Sequence, residues 1–102
     1  MAEGNSFLDK VVRPVVAEFI GTTLFVFTVC LFPAKNTNLS GLLQGFAYVS
    51  LIAGLGKFSG GHFNPAITAA VTLCGGVPIL VAVCYILAQM LGGLIGASLV
   101  FV

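Results

Sequence analysis

The residues best suited to chemistry form one run, Ser59-Gly60-Gly61-His62-Phe63-Asn64-Pro65-Ala66. Asn is among the strongest helix N-cap residues and Pro is favoured at the first helical position, so Asn64-Pro65 starts a helix. Gly60 and Gly61 let the chain turn sharply into it. The first turn of a helix leaves N–H groups unpaired and carries roughly half a positive charge. At low dielectric such an end repels cations, while a capping amide donates hydrogen bonds to a passing neutral molecule. The pattern predicts a solute-contacting surface built from Asn64, Pro65 and Ala66 with Gly60, Gly61 and His62. An ordinary N-cap in a soluble loop would use the same residues, so the flanking segments decide between the two readings.

Three other polar residues stand in apolar surroundings. Glu18 lies within the first apolar stretch, where a carboxylate costs about 2.5–3.5 kcal/mol on insertion scales and needs a buried partner. Backbone N–H groups of the Gly-rich turn, or His62, are the candidates. Gln89 is expected to brace the same turn or a neighbouring helix, a contribution of about 0.6 to 2 kcal/mol. Gln44 can face either a solute path or an interface. A proton relay through Glu18 would need a second titratable group in series, and the chain holds one His. That single His, without a Cys or second His at ligand spacing, makes no metal site, and His62 is expected to fix the loop. No nucleophile–base constellation exists among one His and three carboxylates, which excludes the usual enzyme designs. No cofactor is implied.

The elements that carry these residues follow from composition. Hydrophobic residues make up 59% of the 102-residue chain and charged ones 7%, against about a quarter charged in soluble domains. Mean hydropathy is +1.15. The net charge of +1 and four scattered basic residues exclude a nucleic-acid-binding stripe. The sequence predicts helices at about 11–32, 41–58 and 77–102, each long enough for a ~30 Å hydrocarbon core. Residues 64–73 are apolar but span only about 15 Å, half a membrane. A half-length helix between two spanning ones reads as re-entrant, which sets its Asn64 end at mid-membrane depth. Irregular backbone there is tolerated only against protein or a cavity.

Residues 1–10 read as a polar cytoplasmic tail. The apolar stretch after them exceeds a signal-peptide core and lacks a cleavage pattern, so it reads as a retained helix. Lys10, Arg13 and Lys57 fall on one side of the membrane and Lys35 on the other, which puts the N-terminus in the cytoplasm. The loop outside carries a glycosylation sequon at Asn38-Leu39-Ser40. Cys30, Cys74 and Cys84 sit in apolar stretches and read as inert. Small residues at four-residue spacing (Ala17/Gly21, Gly41/Gly45, Gly92/Gly96 and Gly93/Ala97) predict close helix packing on all three spans.

Ala17-Glu18-Phe19-Ile20-Gly21-Thr22-Thr23-Leu24-Phe25, the Ser59–Ala66 run and Ala88-Gln89-Met90-Leu91-Gly92-Gly93 occur in an order that resembles the N-terminal half of the aquaporin, or major intrinsic protein, family. The resemblance covers about Val11 to Val102. It implies an all-α membrane protein whose three transmembrane helices and one re-entrant half-helix form a single inverted-repeat unit. The implied activity is a passive channel for water or small neutral solutes, ammonia and hydrogen peroxide among them, with glycerol as a variant. Asn64-Pro65-Ala66 matches the first of the family's two NPA boxes, and Glu18, His62 and Gln89 match the brace of its half-helix loop. Homo-tetramers and a lipid bilayer are the implied assembly and surroundings.

Two departures shape the expectations. A family pore has two such repeats, and this chain encodes one, without the second NPA box or the filter arginine. It is therefore expected to need a second repeat or full-length channel subunits, or to act as a non-conducting fragment that associates with them. Counting back from Asn64, the helix-two filter position falls on Gln44, where water channels of the family typically carry Phe. The Gly60-Gly61-His62-Phe63 spelling leans toward the subgroup that resembles the eighth mammalian aquaporin.

Overall fold

The computed structural model describes residues 5–33 and 38–101. The tail residues 1–4, the loop residues 34–37 with Lys35, and Val102 lie outside them. A short helix α1 (Asn5–Phe7) and a π-helical stretch (Leu8–Val12) run into α2 (Arg13–Leu31). Next come α3 (Ser40–Ser59), the short α4 (Pro65–Leu73) and α5 (Ile79–Phe101). No strand occurs among the described residues. Three stretches, Leu8–Leu31, Ser40–Ser59 and Ile79–Phe101, are long and apolar enough to cross a membrane. The nine residues of α4 rise about 14 Å, too little to span.

Among the described residues, helical structure is thus already present at Asn5, ahead of the expected start near Val11. Pro14 explains the form it takes. Its ring would clash with the carbonyl four residues back and it has no N–H to give, so a regular helix cannot run through it undisturbed. A wider turn precedes it, in which the Arg13 N–H bonds the Leu8 carbonyl. The Arg13 side chain pairs with Asp9 at 2.8 Å, an exposed bridge that adds little.

Helix α2 is the hub, packed along α5 on one side and α3 on the other. Its buried residues, Pro14, Ala17, Glu18, Gly21 and Thr22, recur at three and four positions and so form one face. Ala82, Tyr85, Gln89, Gly92 and Gly96 make the matching face of α5. A methyl group on Gly92 would stand 2.7 Å from the Phe19 carbonyl oxygen, and one on Gly96 would strike the Thr23 carbonyl. These two glycines allow backbone contact between α2 and α5, as small-residue spacing predicts.

The same spacing on α3 does not do so. Gly41 and Gly45 have nothing within 4 Å of where a Cβ would stand. Ser40 is the one buried residue of α3, and Leu42, Phe46, Val49, Ile52 and Phe58 are exposed. Spacing tells that a face is smooth, not that something covers it.

Short helix α4 is closed at both ends by its own residues. Asn64 caps its start, with Pro65 at the first position. At its end Gly75, with φ +82°, donates to Thr72 and Gly76 donates to Val71. This crossed pair of bonds is the usual glycine stop for a helix.

Candidate functional site

The most deeply buried side chains of the chain are polar: Gln89, Glu18, Thr68 and Ser40. Three of them meet at one place, the turn between α3 and α4. Glu18 is fully buried on α2 and receives four hydrogen bonds. Its Oε2 accepts from the Ser59 hydroxyl at 2.6 Å and the His62 N–H at 3.1 Å. Its Oε1 accepts from the Phe63 N–H at 2.8 Å and the Gln89 side chain at 2.5 Å. Every neighbour donates, which suits a carboxylate acting only as an acceptor. The turn therefore hangs on one side chain of α2.

That grip matters because the turn is unfavourable alone. Gly60, Gly61 and Phe63 all have positive φ, and Phe63 at +53° is the one non-glycine residue to do so among those described. Such a conformation costs a bulky residue about 1–3 kcal/mol and persists when its surroundings over-determine it. Phe63 is 3% exposed, and its ring fills the notch left by Gly21 on α2. Its amide is held by Glu18.

Thr68 extends the network into α4. Gln89 donates to the Thr68 hydroxyl oxygen at 2.9 Å, and that oxygen lies 2.9 Å from His62 Nδ1. The hydroxyl either gives its proton to Nδ1 or accepts one from it, so the contact joins Thr68 to His62 in both ring tautomers. The His62 ring also meets Tyr85 edge-on, with centroids 5.3 Å apart. Gln89 Oε1 and Thr22 Oγ1 are buried without a partner among the described residues. Turning the Gln89 amide would set its oxygen against the Glu18 carboxylate, so the orphan oxygen follows from the bond opposite it.

Asn64 stands at the open edge of this network. Its Oδ1 accepts from the Ala66 N–H at 2.8 Å, and its backbone carbonyl accepts from Thr68 at 3.1 Å. Its side-chain amide has no acceptor among the described residues. Asn64, Pro65 and Ala66 are all exposed. Gly60 is exposed too, while Gly61 and His62 are buried, and the His62 side chain faces Thr68 and Tyr85. Gln44 is elsewhere: it donates to the Phe32 carbonyl at 2.7 Å, tying the far end of α3 to the end of α2. Glu18, His62 and Gln89 are thus brought together and Gln44 is not.

Thr68 and both tyrosines join the site without having been expected there from the sequence. The Tyr85 hydroxyl donates to the Ser59 carbonyl at 2.9 Å and the Tyr48 hydroxyl to the His62 carbonyl at 2.6 Å. A phenol in an apolar helix needs a partner, and that was the available signal.

The family model for major intrinsic proteins matches residues 6–102. The chain belongs to that family. Aquaporin-8 of Rattus norvegicus is 44% identical over 101 residues, covering 94% of this chain and 38% of the relative. Aquaporin-1 of Sus scrofa is 36% identical over 102 residues, covering 85% and 38%. A probable aquaporin TIP2-2 of Oryza sativa is 38% identical over 109 residues, covering 94% and 44%. The chain spans less than half the length of these major intrinsic proteins. Family membership and three apolar helices together make it an integral membrane protein.

Proposed function

We propose that the chain forms one repeat of a passive transmembrane channel for water or small neutral solutes such as ammonia or hydrogen peroxide, with cations turned back at Asn64. The observation that carries this reading is the posture of Asn64 itself. Its oxygen is committed to the Ala66 N–H, so its amide donor points away from the helix at an exposed edge. A cation arriving there meets a donor and the positive end of α4. A neutral molecule with a lone pair meets a hydrogen bond. The names of the aquaporin relatives support water as the first solute to test.

In this reading Pro65, Ala66 and the Gly60 and Gly61 backbone line the same path, and Gln44 adds a polar group at its far mouth. Glu18, His62 and Gln89 hold the turn. The N-terminus lies in the cytoplasm, where Lys10, Arg13 and Lys57 favour it. Asn38, exposed in its turn, is then the outer sequon, although Ser40 is buried with its hydroxyl on the Pro33 carbonyl. The path is completed by a second repeat or by further channel subunits, with a homo-tetramer as the assembly.

A second reading rests on the exposed apolar side of α3. A chain with that face open could associate with full-length channels without conducting. Stopped-flow osmotic shrinkage of vesicles separates the two. The channel reading expects vesicles holding the chain to shrink faster than protein-free ones. Equal rates, with flux through a co-reconstituted full-length aquaporin reduced, would replace it with the associating reading.

A further inference from the structure

We propose that the Tyr48 hydroxyl shields the His62 carbonyl from solute, which makes Tyr48 a specificity-determining residue of the path. The inference rests on the reading that a solute passes the turn before α4.

The carbonyls of the turn have different fates. Asn64 gives its carbonyl to Thr68 inside α4. The carbonyls of Gly60, Gly61 and Phe63 have no hydrogen bond among the described residues, since positive φ at these residues carries the backbone out of any ladder. At membrane depth such groups are tolerated where they line a cavity. His62 breaks the row. Its carbonyl is taken by a side chain from another helix, the Tyr48 hydroxyl of α3 at 2.6 Å.

Tyr48 is held to that task. Its ring lies 5.0 Å from Phe25 of α2 and 6.2 Å from Phe63, centroid to centroid. These contacts on two elements fix the ring, so the hydroxyl reaches the carbonyl without losing much freedom. His62 as a whole, backbone included, is 7% exposed. The carbonyls of Gly61 and Phe63, in residues buried like His62, carry no such bond, while this one is taken from the α3 side. A molecule that donates hydrogen bonds therefore crosses one gap in the row of acceptors just before it reaches the Asn64 donor. Replacing tyrosine by phenylalanine keeps the ring contacts and opens the gap.

Isotope-edited infrared spectroscopy tests this on the 102-residue chain in lipid vesicles, with the label in the His62 carbonyl. In the unmodified chain the band should keep its frequency as the vesicles are hydrated or moved to D2O. Tyr48→Phe should make the band shift with hydration. A hydration-sensitive band in the unmodified chain, or an insensitive one in a folded Tyr48→Phe chain, overturns the proposal. The first of these measurements needs no variant to fold. Osmotic flux is read on the same vesicles. If the unmodified chain conducts, Tyr48→Phe should raise water flux about 2- to 10-fold, the worth of one net hydrogen bond. Unchanged flux beside an opened carbonyl overturns the specificity role. If the unmodified chain gives no flux, the reading that copies of this chain conduct by themselves fails, and the carbonyl band still decides whether Tyr48 shields His62.

Discussion

Glu18 Oε1 and the Phe63 amide nitrogen lie 2.8 Å apart and join residues 45 positions apart in the chain. This bond pins the one described non-glycine residue with positive φ to the face of α2. Glu18→Gln keeps the shape but replaces one acceptor oxygen with a donor. Two of the four donors around it then lose their acceptor, at about 1–3 kcal/mol each. Unfolding in mixed micelles, followed by circular dichroism, should show a loss of about 2–6 kcal/mol. A loss below about 1 kcal/mol would mean that the turn does not depend on this carboxylate.

Gly21 and Phe63 should be coupled. A methyl at Gly21 would overlap the Phe63 ring. Overpacking of this kind costs about 1–3 kcal/mol. Gly21→Ala alone is expected to destabilise, and to do so much less on a Phe63→Ala background. A double-mutant cycle gives the interaction energy. Strict additivity would separate the two residues.

The sequence already spoke for much of this arrangement. Asn64-Pro65 announces a helix start wherever it stands, and a carboxylate or amide in a spanning helix announces a missing partner. The hydroxyls did not speak in the same way. Thr23, Thr28, Ser50, Thr72 and Ser98 each donate to the carbonyl four residues back in their own helix. Thr68, Tyr48 and Tyr85 reach across instead. Nothing in residue type distinguishes Thr68 from Thr72: four apart, they share a face of α4, and Thr68 is the one that comes within reach of Gln89 and His62. Gly45 and Gly96 pose the same problem on the packing side.

Asn64 separates capping from conduction. Asn64→Ala removes the Oδ1 acceptor from the Ala66 N–H and should cost about 1 kcal/mol of stability. Asn64→Asp keeps an acceptor for that N–H but replaces the outward donor with negative charge. In a conducting preparation it should leave the fold intact and raise cation leak, measured as potassium-dependent collapse of a membrane potential. An unchanged leak would remove Asn64 from the cation barrier.

Glycines on α5 and α3 should respond in opposite ways. Gly96→Ala would strike the Thr23 carbonyl on α2 and is expected to cost about 1–3 kcal/mol. Gly45→Ala meets open space, and alanine's better helix propensity should make it neutral or stabilising by up to about 1 kcal/mol. Both are read from the same micelle unfolding curves. A large loss at Gly45 would show that α3 is covered by another copy under those conditions.

Cys74 reports orientation. Among the described cysteines it alone is exposed, at the end of α4. With the N-terminus in the cytoplasm, a re-entrant α4 returns Cys74 to that side. A membrane-impermeant maleimide should label it in inside-out vesicles and not in intact cells. The reverse pattern would invert the assigned topology.

The reach of the Glu18 network has a consequence for biogenesis. The Gln89 side chain that completes it lies 71 residues further along the chain, and Ser59 lies 41 further. When α2 leaves the ribosome, Gln89 has not yet been made and Ser59 has not yet emerged. The Glu18 carboxyl group must enter the bilayer, or wait at the insertion machinery, without those partners, at about 2.5–3.5 kcal/mol on insertion scales. The apolar residues around it carry it in, and α5 arrives later to close its solvation shell. Helix α2 is therefore inserted early and finished late, and its final depth is set only once α5 has been translated.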